Sequence, residues 1–529
     1  MNLTRTISIQ AILLQMDHNK PLRFFSRNSI PKHSRKWDET AQEEMDLEQK
    51  RQTRFNTNHF VFACAVFASL NSVLLGYDVG VMSGAIIFIQ QDLNISEVQV
   101  EVVVGILNIV SLIGSLAGGK ASDTLGRKAT MALGAFIFQF GVILMSMAPN
   151  FGILLIGRLV TGIGIGFAIL IVPIYIVEIS PTTSRGLLTS FPEIFINFGI
   201  LLGYVSGYVF RGLPVHTSWR IMLGIGIIPS VFLGLALLVI PESPRWLVMN
   251  NRMDEARLVL LKTNDNEMEV DERLNEIRKV ASNANGARLV WKELAIPTPG
   301  VKRMLITGCG IQCFQQLTGI EAMVYYSPTI FKSAGITGNS RLLGTTMAVG
   351  FTKTFVILVA IVLIDRIGRK PLLYVSTIGM TLCALSLGIV LSLLKDSPIG
   401  MESAVVFVCG NVGFFSIGIG PVCWVLCTEV FPLRLRSQAS AIGVVGNRVI
   451  SGIVAMSFLS IARWITMGGV FFLFGLISAL SVLFVHKYVP ETKGKSLEQI
   501  ETIFHSARTW QGGELEIEEQ RLVRTKSKD

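Results

Sequence analysis

About twelve apolar stretches, each roughly 20 residues or longer, divide this chain, and nothing else limits its fold as strongly. They start near residues 59, 100, 129, 151, 187, 219, 303, 342, 371, 401, 438 and 468. Such a stretch crosses a bilayer as one helix, because only a helix satisfies its own backbone where water is absent. Half of the 529 residues are hydrophobic, 16% are charged and the mean hydropathy is +0.54. An ordinary soluble domain is excluded; an all-α membrane protein is expected.

Three motifs recur in one order. D-x-x-G-R-K stands at Asp123, Gly126, Arg127 and Lys128, and returns 242 residues later at Asp365, Gly368, Arg369 and Lys370. E-x-x-P-x-x-x-R at Glu178, Pro181 and Arg185 returns at Glu429, Pro432 and Arg436, with an offset of 251. Pro241-Glu242-Ser243 is matched by Pro490-Glu491-Thr492, with an offset of 249. The near-constant offset indicates an internal duplication. Twelve transmembrane helices then form two pseudo-symmetric six-helix halves, an architecture that secondary transporters use. The expected organisation is a tail over 1–58, a first half over 59–240, a loop with short helices over 241–302, a second half over 303–489 and a tail over 490–529.

The net charge of +10 follows from topology rather than from a nucleic-acid partner. Of 47 Lys and Arg, 36 lie in the two tails, the central loop and the even-numbered turns. The opposite turns hold only Arg211, Arg220, Lys332, Arg341, Lys395 and Arg463. This asymmetry places both termini and the loop in the cytoplasm. The polar first 58 residues resemble no cleavable signal and are expected to be disordered. Asn94-Ile95-Ser96 is a sequon in a short outer turn.

All seven cysteines fall within spans, and neither Cys309/Cys313 nor Cys423/Cys427 is accompanied by a third ligand, so no metal site is expected. The run Thr161 to Gly166 lacks the preceding strand and following acid of a nucleotide loop; its glycines suit close helix packing. No nucleophile–base set or phosphate loop is present, so no catalytic residue, cofactor or enzymatic activity is expected.

The repeated motifs, Pro173-x-Tyr175-x-x-Glu178-x-x-Pro181, Pro241-Glu242-Ser243-Pro244-Arg245, Gln315-Gln316-x-x-Gly319 and Pro490-Glu491-Thr492-Lys493-Gly494 together resemble the sugar-porter branch of the major facilitator superfamily, over about residues 59 to 500. Residues Ser190 to Asn197 and Gly446-Asn447-Arg448 are similar to those of the plant polyol and monosaccharide transporters. The resemblance implies the major facilitator fold and alternating-access carriage of a linear polyol, inositol or monosaccharide, coupled to protons. It also implies residence in the plasma membrane, with the vacuolar membrane as the alternative, and a monomer. A facilitative uniporter and a non-transporting sugar sensor remain open; sensors of this fold carry long signalling tails, and the tail here is about 40 residues.

Charges inside a bilayer are costly and need partners. Asp78 lies 12 residues before Gln90 at the outer end of span one, and Arg158 seven residues into span four. At about 1.5 Å per residue these depths differ by less than an arginine side chain spans. By resemblance the two form the proton-coupling pair. The resemblance also carries over Gln315, Gln316 and Trp424 as sugar-binding residues, with Asn447 as a polar substrate contact. Where the sugar porters place neutral amides, this chain has Glu193, Glu321 and Lys353. Lys353 is expected to pair with Glu321 or Glu193, since a lone buried charge is prohibitive. Acceptor carboxylates suit a ligand with many free hydroxyls. Gly319 is expected to let span seven unwind. For gating, the resemblance pairs Arg127 with Glu178 across spans two to five and Arg369 with Glu429 in the other half. Asp123, Arg185, Glu242, Arg245, Asp365, Arg436 and Glu491 join these networks, which are expected to hold the outward-facing state.

Overall fold

The computed structural model describes residues 59–181, 188–264, 267–282, 293–432, 435–493, 495 and 497–505. The first half contains α1 (His59–Leu93), α2 (Glu97–Leu125), α3 (Arg127–Ser146), α4 (Phe151–Ile179) and α5 (Phe191–Val209). Its sixth span is made of α6 (Val215–Gly224) and α7 (Ile227–Val239). Three shorter helices follow: α8 (Pro244–Met249), α9 (Met253–Thr263) and α10 (Glu267–Ser282). The seventh span is broken into α11 (Pro299–Leu317), α12 (Ile320–Tyr325) and α13 (Ser327–Ser333). Then come α14 (Asn339–Ile367), α15 (Arg369–Leu393), α16 (Pro398–Ile417), α17 (Ile419–Val430), α18 (Arg436–Tyr488) and α19 (Leu497–His505).

Among the described residues, ten helical segments are long and apolar enough to cross a membrane. The last of them holds two spans, because α18 turns at Thr466, where φ is +72°. The seventh span is absent from those ten because Gln312, Gln315 and Gln316 make it polar and Gly319 interrupts it. The fold therefore has the twelve helices of the major facilitator architecture. Large apolar side chains such as Leu116, Phe136, Leu238, Phe355 and Leu393 point outward and are exposed. A surface of that kind is stable against lipid tails and not against water.

Local chemistry sets the helix ends. Ser96 and Gln99 form a reciprocal capping box on α2, and Asn150 caps α4 through Ile153 N–H. The glycine of each D-x-x-G-R-K motif makes the turn into the next span: φ is +94° at Gly126 and +109° at Gly368. A Cβ there would meet a Glu242 carboxylate oxygen at 2.5 Å and a Glu491 one at 2.9 Å. Those carboxylates accept the first N–H groups of α3 (Arg127, 2.9 Å) and α15 (Arg369, 3.1 Å; Lys370, 3.0 Å). Each satisfies donors that a helix leaves unpaired and complements its positive end.

Bonds between described residues that join the two halves lie toward the end of the bundle remote from these motifs, or near its middle. Glu101 on α2 takes the Ser460 N–H at 2.7 Å and the Ser460 hydroxyl at 2.5 Å. Arg463 pairs with Glu97. Tyr204 Oη donates to Val324 O at 2.8 Å, Arg211 Nε to Ser340 Oγ at 3.0 Å and Thr354 Oγ1 to Asn197 O at 3.2 Å.

Replacing Gly126 with valine forces a β-branched residue into a backbone region reserved for glycine, at about 1–3 kcal/mol, and drives its Cβ into the Glu242 carboxylate. The expected result is a thermal midpoint several degrees lower in detergent, with less monodisperse protein recovered. An unchanged midpoint refutes this account of the turn.

Candidate functional site

Asp78 lies halfway along α1 and is 2% exposed; Arg158 lies on α4 and is fully buried. Arg158 Nη1 donates to both carboxylate oxygens, at 2.7 and 2.6 Å. Its Nε donates to Val103 O at 2.8 Å, and Nη2 reaches Val104 O at 3.5 Å. The guanidinium thus ties three helices, α1, α2 and α4, through one side chain. Helix carbonyls retain a second lone pair, which lets α2 accept these bonds without losing its own. The arrangement compensates a buried acid with a partner that a small helix movement can withdraw.

Near the middle of the bundle, both halves line a cavity of about 60 Å³. Glu193 of α5 and Asn108 of α2 line it from the first half. Gln315, Gln316, Glu321, Lys353, Trp424 and Arg448 line it from the second. Gly319, with φ +83°, is what allows this: it separates α11 from α12, so Gln316 and Glu321 reach one cavity although they do not share a helical face. A Cβ on Gly319 would meet the Phe474 ring at 2.5 Å.

Asn447 does not line the cavity. It is fully buried behind the glutamines, where Nδ2 donates to Gln315 Oε1 at 2.7 Å and to Gln312 O at 3.0 Å, and Oδ1 accepts from Gln316 Nε2 at 3.3 Å. In this state Asn447 orients the two amides. Gln315 is also committed through Nε2 to Gly420 O at 2.9 Å. Gln316 keeps its Oε1 without a partner.

The expected ion pair of Lys353 with Glu321 or Glu193 is absent. Among the described residues no carboxylate comes within ion-pair distance of Lys353, although it is only 8% exposed. Its Nζ stands 5.8 Å from the Phe415 ring centroid, within cation–π range. Glu193 accepts one bond, from Asn197 Nδ2 at 3.3 Å. The cavity itself keeps the cation and the two acids apart. Arg448 is also buried, and its Nε has no partner.

At the motif end, each half closes its own cluster. Arg127 donates two parallel bonds to Glu178, at 2.9 and 3.0 Å. It also approaches Asp123 at 3.7 Å, and Ser243 donates to Glu178 at 2.5 Å. In the second half Arg369 binds Glu429 at 3.2 and 2.7 Å, and Thr492 donates to Glu429 at 2.5 Å. Three repeated motifs therefore meet at one point in each half. The Arg127–Glu178 bridge joins spans three and four only, so the reach across spans two to five is corrected. Nor does either bridge clamp one half to the other, and both are intact while the halves are bonded at the remote end. Arg245 is exposed and makes no ion pair among the described residues, so it does not join the cluster. Arg436 Nε donates to Phe431 O at 3.2 Å. Arg185 lies outside the described residues, as does the side chain of Asp365.

Sequence reasoning passed over Asn108, Glu101 with Ser460, and the Ser243 and Thr492 hydroxyls. Asn108 was visible as a lone amide in an apolar span. Glu101 reads as a span-end charge until its partner in the other half is known.

Residues 64–504 match the family described as sugar (and other) transporters. Over 490 residues the chain is 61% identical to the probable polyol transporter 4 of Arabidopsis thaliana, covering 92% of this chain and 93% of that one. It is 48% identical to polyol transporter 5 of the same plant, covering 85% and 87%. Among solved structures it is similar to the proton:xylose symporter XylE bound to 6-bromo-6-deoxy-D-glucose, with a TM-score of 0.72, 28% identity and coverage of 85% and 100%. The inward-open xylose transporter XylE from E. coli gives the same TM-score and identity over 84% and 100%. With this architecture, paired motif clusters and a cavity between the halves, the chain belongs to the sugar-porter family of the major facilitator superfamily, and it is a membrane transporter rather than an enzyme.

Proposed function

We propose that this protein is a proton-coupled symporter of a linear polyol, inositol or a monosaccharide, with both termini in the cytoplasm and the plasma membrane as its site. The observation that carries the reading is the buried Asp78–Arg158 pair beside a mid-bundle cavity lined by two acids, two cations and amides. The relatives named above are called polyol transporters, and the structural neighbour is called a proton symporter.

The cavity offers acceptors at Glu193, Glu321 and Gln316 Oε1, and donors at Lys353 and Arg448. A hydroxyl both donates and accepts, so a solute rich in free hydroxyls satisfies both sets. Trp424 and the apolar wall give its carbon chain a face to lie on. The two acids and two cations balance, which favours a neutral solute. Arg158 faces Asp78 as its counter-charge in the state described. A shift of α4 against α1 within the first half withdraws Arg158 and leaves a buried carboxylate, and a proton from the outer side replaces the lost counter-charge. Return of Arg158 on the inner side expels it. The remote-end bonds between the halves then mark a state closed to the outside.

Asp78→Asn is expected to abolish uphill accumulation under an imposed pH gradient while exchange of labelled for unlabelled substrate persists. Accumulation equal to wild type refutes the proton role and favours a uniporter. Uptake of a polyol and hexose panel at two external pH values identifies the solute class. Arg158→Met alone leaves Asp78 buried without its counter-charge, a loss of about 3–5 kcal/mol. The double variant Asp78→Asn/Arg158→Met is expected to recover much of it, measured by thermal unfolding. Equal loss in single and double variants refutes the pairing energetics.

A further inference from the structure

The helix pair α2 and α18 forms an antiparallel seam between the halves. Glu97 meets Arg463 and Glu101 meets Ser460. Gly105 lies against Met456 and Gly452: a Cβ on it would come within 2.2 Å of Met456 Cγ and 3.0 Å of Gly452 O. The Ile109 side chain in turn covers Gly452. These positions advance by four residues along α2 while α18 runs back by three or four, so one face of each helix is used throughout. Asn108 shares the face of Glu101 and Gly105, and Arg448 lies one turn beyond Gly452. Both reach the point where the seam ends, and both line the central cavity.

Both also carry donors without an acceptor. Asn108 is 2% exposed and Arg448 8%, yet neither Asn108 Nδ2 nor Arg448 Nε has a hydrogen-bond partner. Unpaired buried donors are costly, and two carried by residues from opposite halves that line one cavity point to an oxygen acceptor that enters it. We propose that Asn108 and Arg448 form a subsite that takes the terminal hydroxyl oxygen of a neutral polyol and sets the preference for it. This rests on the reading of the cavity as a polyol site. The balance of Lys353 and Arg448 against Glu193 and Glu321 selects a hydroxyl over a carboxylate. Since one donor belongs to each half, a ligand held there touches both halves below the closed seam.

The test compares uptake of a hexitol with that of its analogue lacking both terminal hydroxyls, in cells expressing the full chain. Wild type is expected to prefer the hexitol by at least about tenfold in KM, because the analogue leaves both donors unpaired. In Asn108→Ala and Arg448→Met that preference collapses, the KM for the hexitol rising to that for the analogue, while the amount of protein in the membrane and its thermal midpoint show that the variants fold. Asn108→Ser serves if Asn108→Ala fails to reach the membrane. Variants that raise both KM values equally, with the preference intact, overturn the subsite. So does a wild type that does not distinguish the two compounds, although polyol transport itself then stands. Stronger inhibition by the corresponding aldonate than by the hexitol also overturns it, by showing an anion site. A wild type that takes up neither compound overturns the underlying reading, and the subsite with it.

Discussion

A charge placed in hydrocarbon must bring its compensation with it, and most of this structure follows from that requirement. Asp78 sits in a span that is otherwise almost wholly apolar, and it is tolerated because Arg158 arrives from α4 and is itself held by carbonyls of α2. The compensation is local and strong, yet it depends on the relative position of three helices. Any motion that shifts α4 against α1 changes the balance at once. Electrostatics and conformation are coupled here through geometry, with no separate relay.

The central cavity answers the same requirement differently. Glu193, Glu321, Lys353 and Arg448 balance as a group while no two of them touch within ion-pair distance. Direct contact would bury the cations and acids against each other and leave nothing for a ligand. Held apart, they keep their hydrogen-bonding capacity directed at the space between them, at an energetic cost that the twelve-helix frame absorbs. Asn447 contributes by fixing Gln315 and Gln316, which leaves the Gln316 amide oxygen without a partner and engages that of Gln315.

Much of this was legible in the sequence, for identifiable reasons. Span count followed from segment length, and the two halves followed from motifs at nearly one offset. Both halves do build the same cluster, arginine to glutamate with a second glutamate capping the next helix. Depth counting placed Asp78 and Arg158 at comparable levels because a straight helix converts residue number into distance. The pairing expected for Lys353 failed because its distance from Glu193 depends on how far apart the halves stand, and its distance from Glu321 on the course of the broken seventh span, and no local pattern encodes either. For Asn447 the sequence leaves two roles open, because a polar residue in a span is equally suited to holding a neighbour and to holding a ligand. Asn108 and Glu101 gained meaning only when their face of α2 was seen to meet α18.

The paired motif clusters have a mechanical corollary. Each is sealed within its own half: the arginine, its glutamate, the capping acid and the hydroxyl all belong to one six-helix unit. Rocking the units past each other therefore stretches none of these bonds. The clusters behave as internal bracing, stiffening each lever arm so that displacement at one membrane face is transmitted undiminished to the other. Among the described residues, the bonds that resist turnover are then those in the narrow strip where the arms touch.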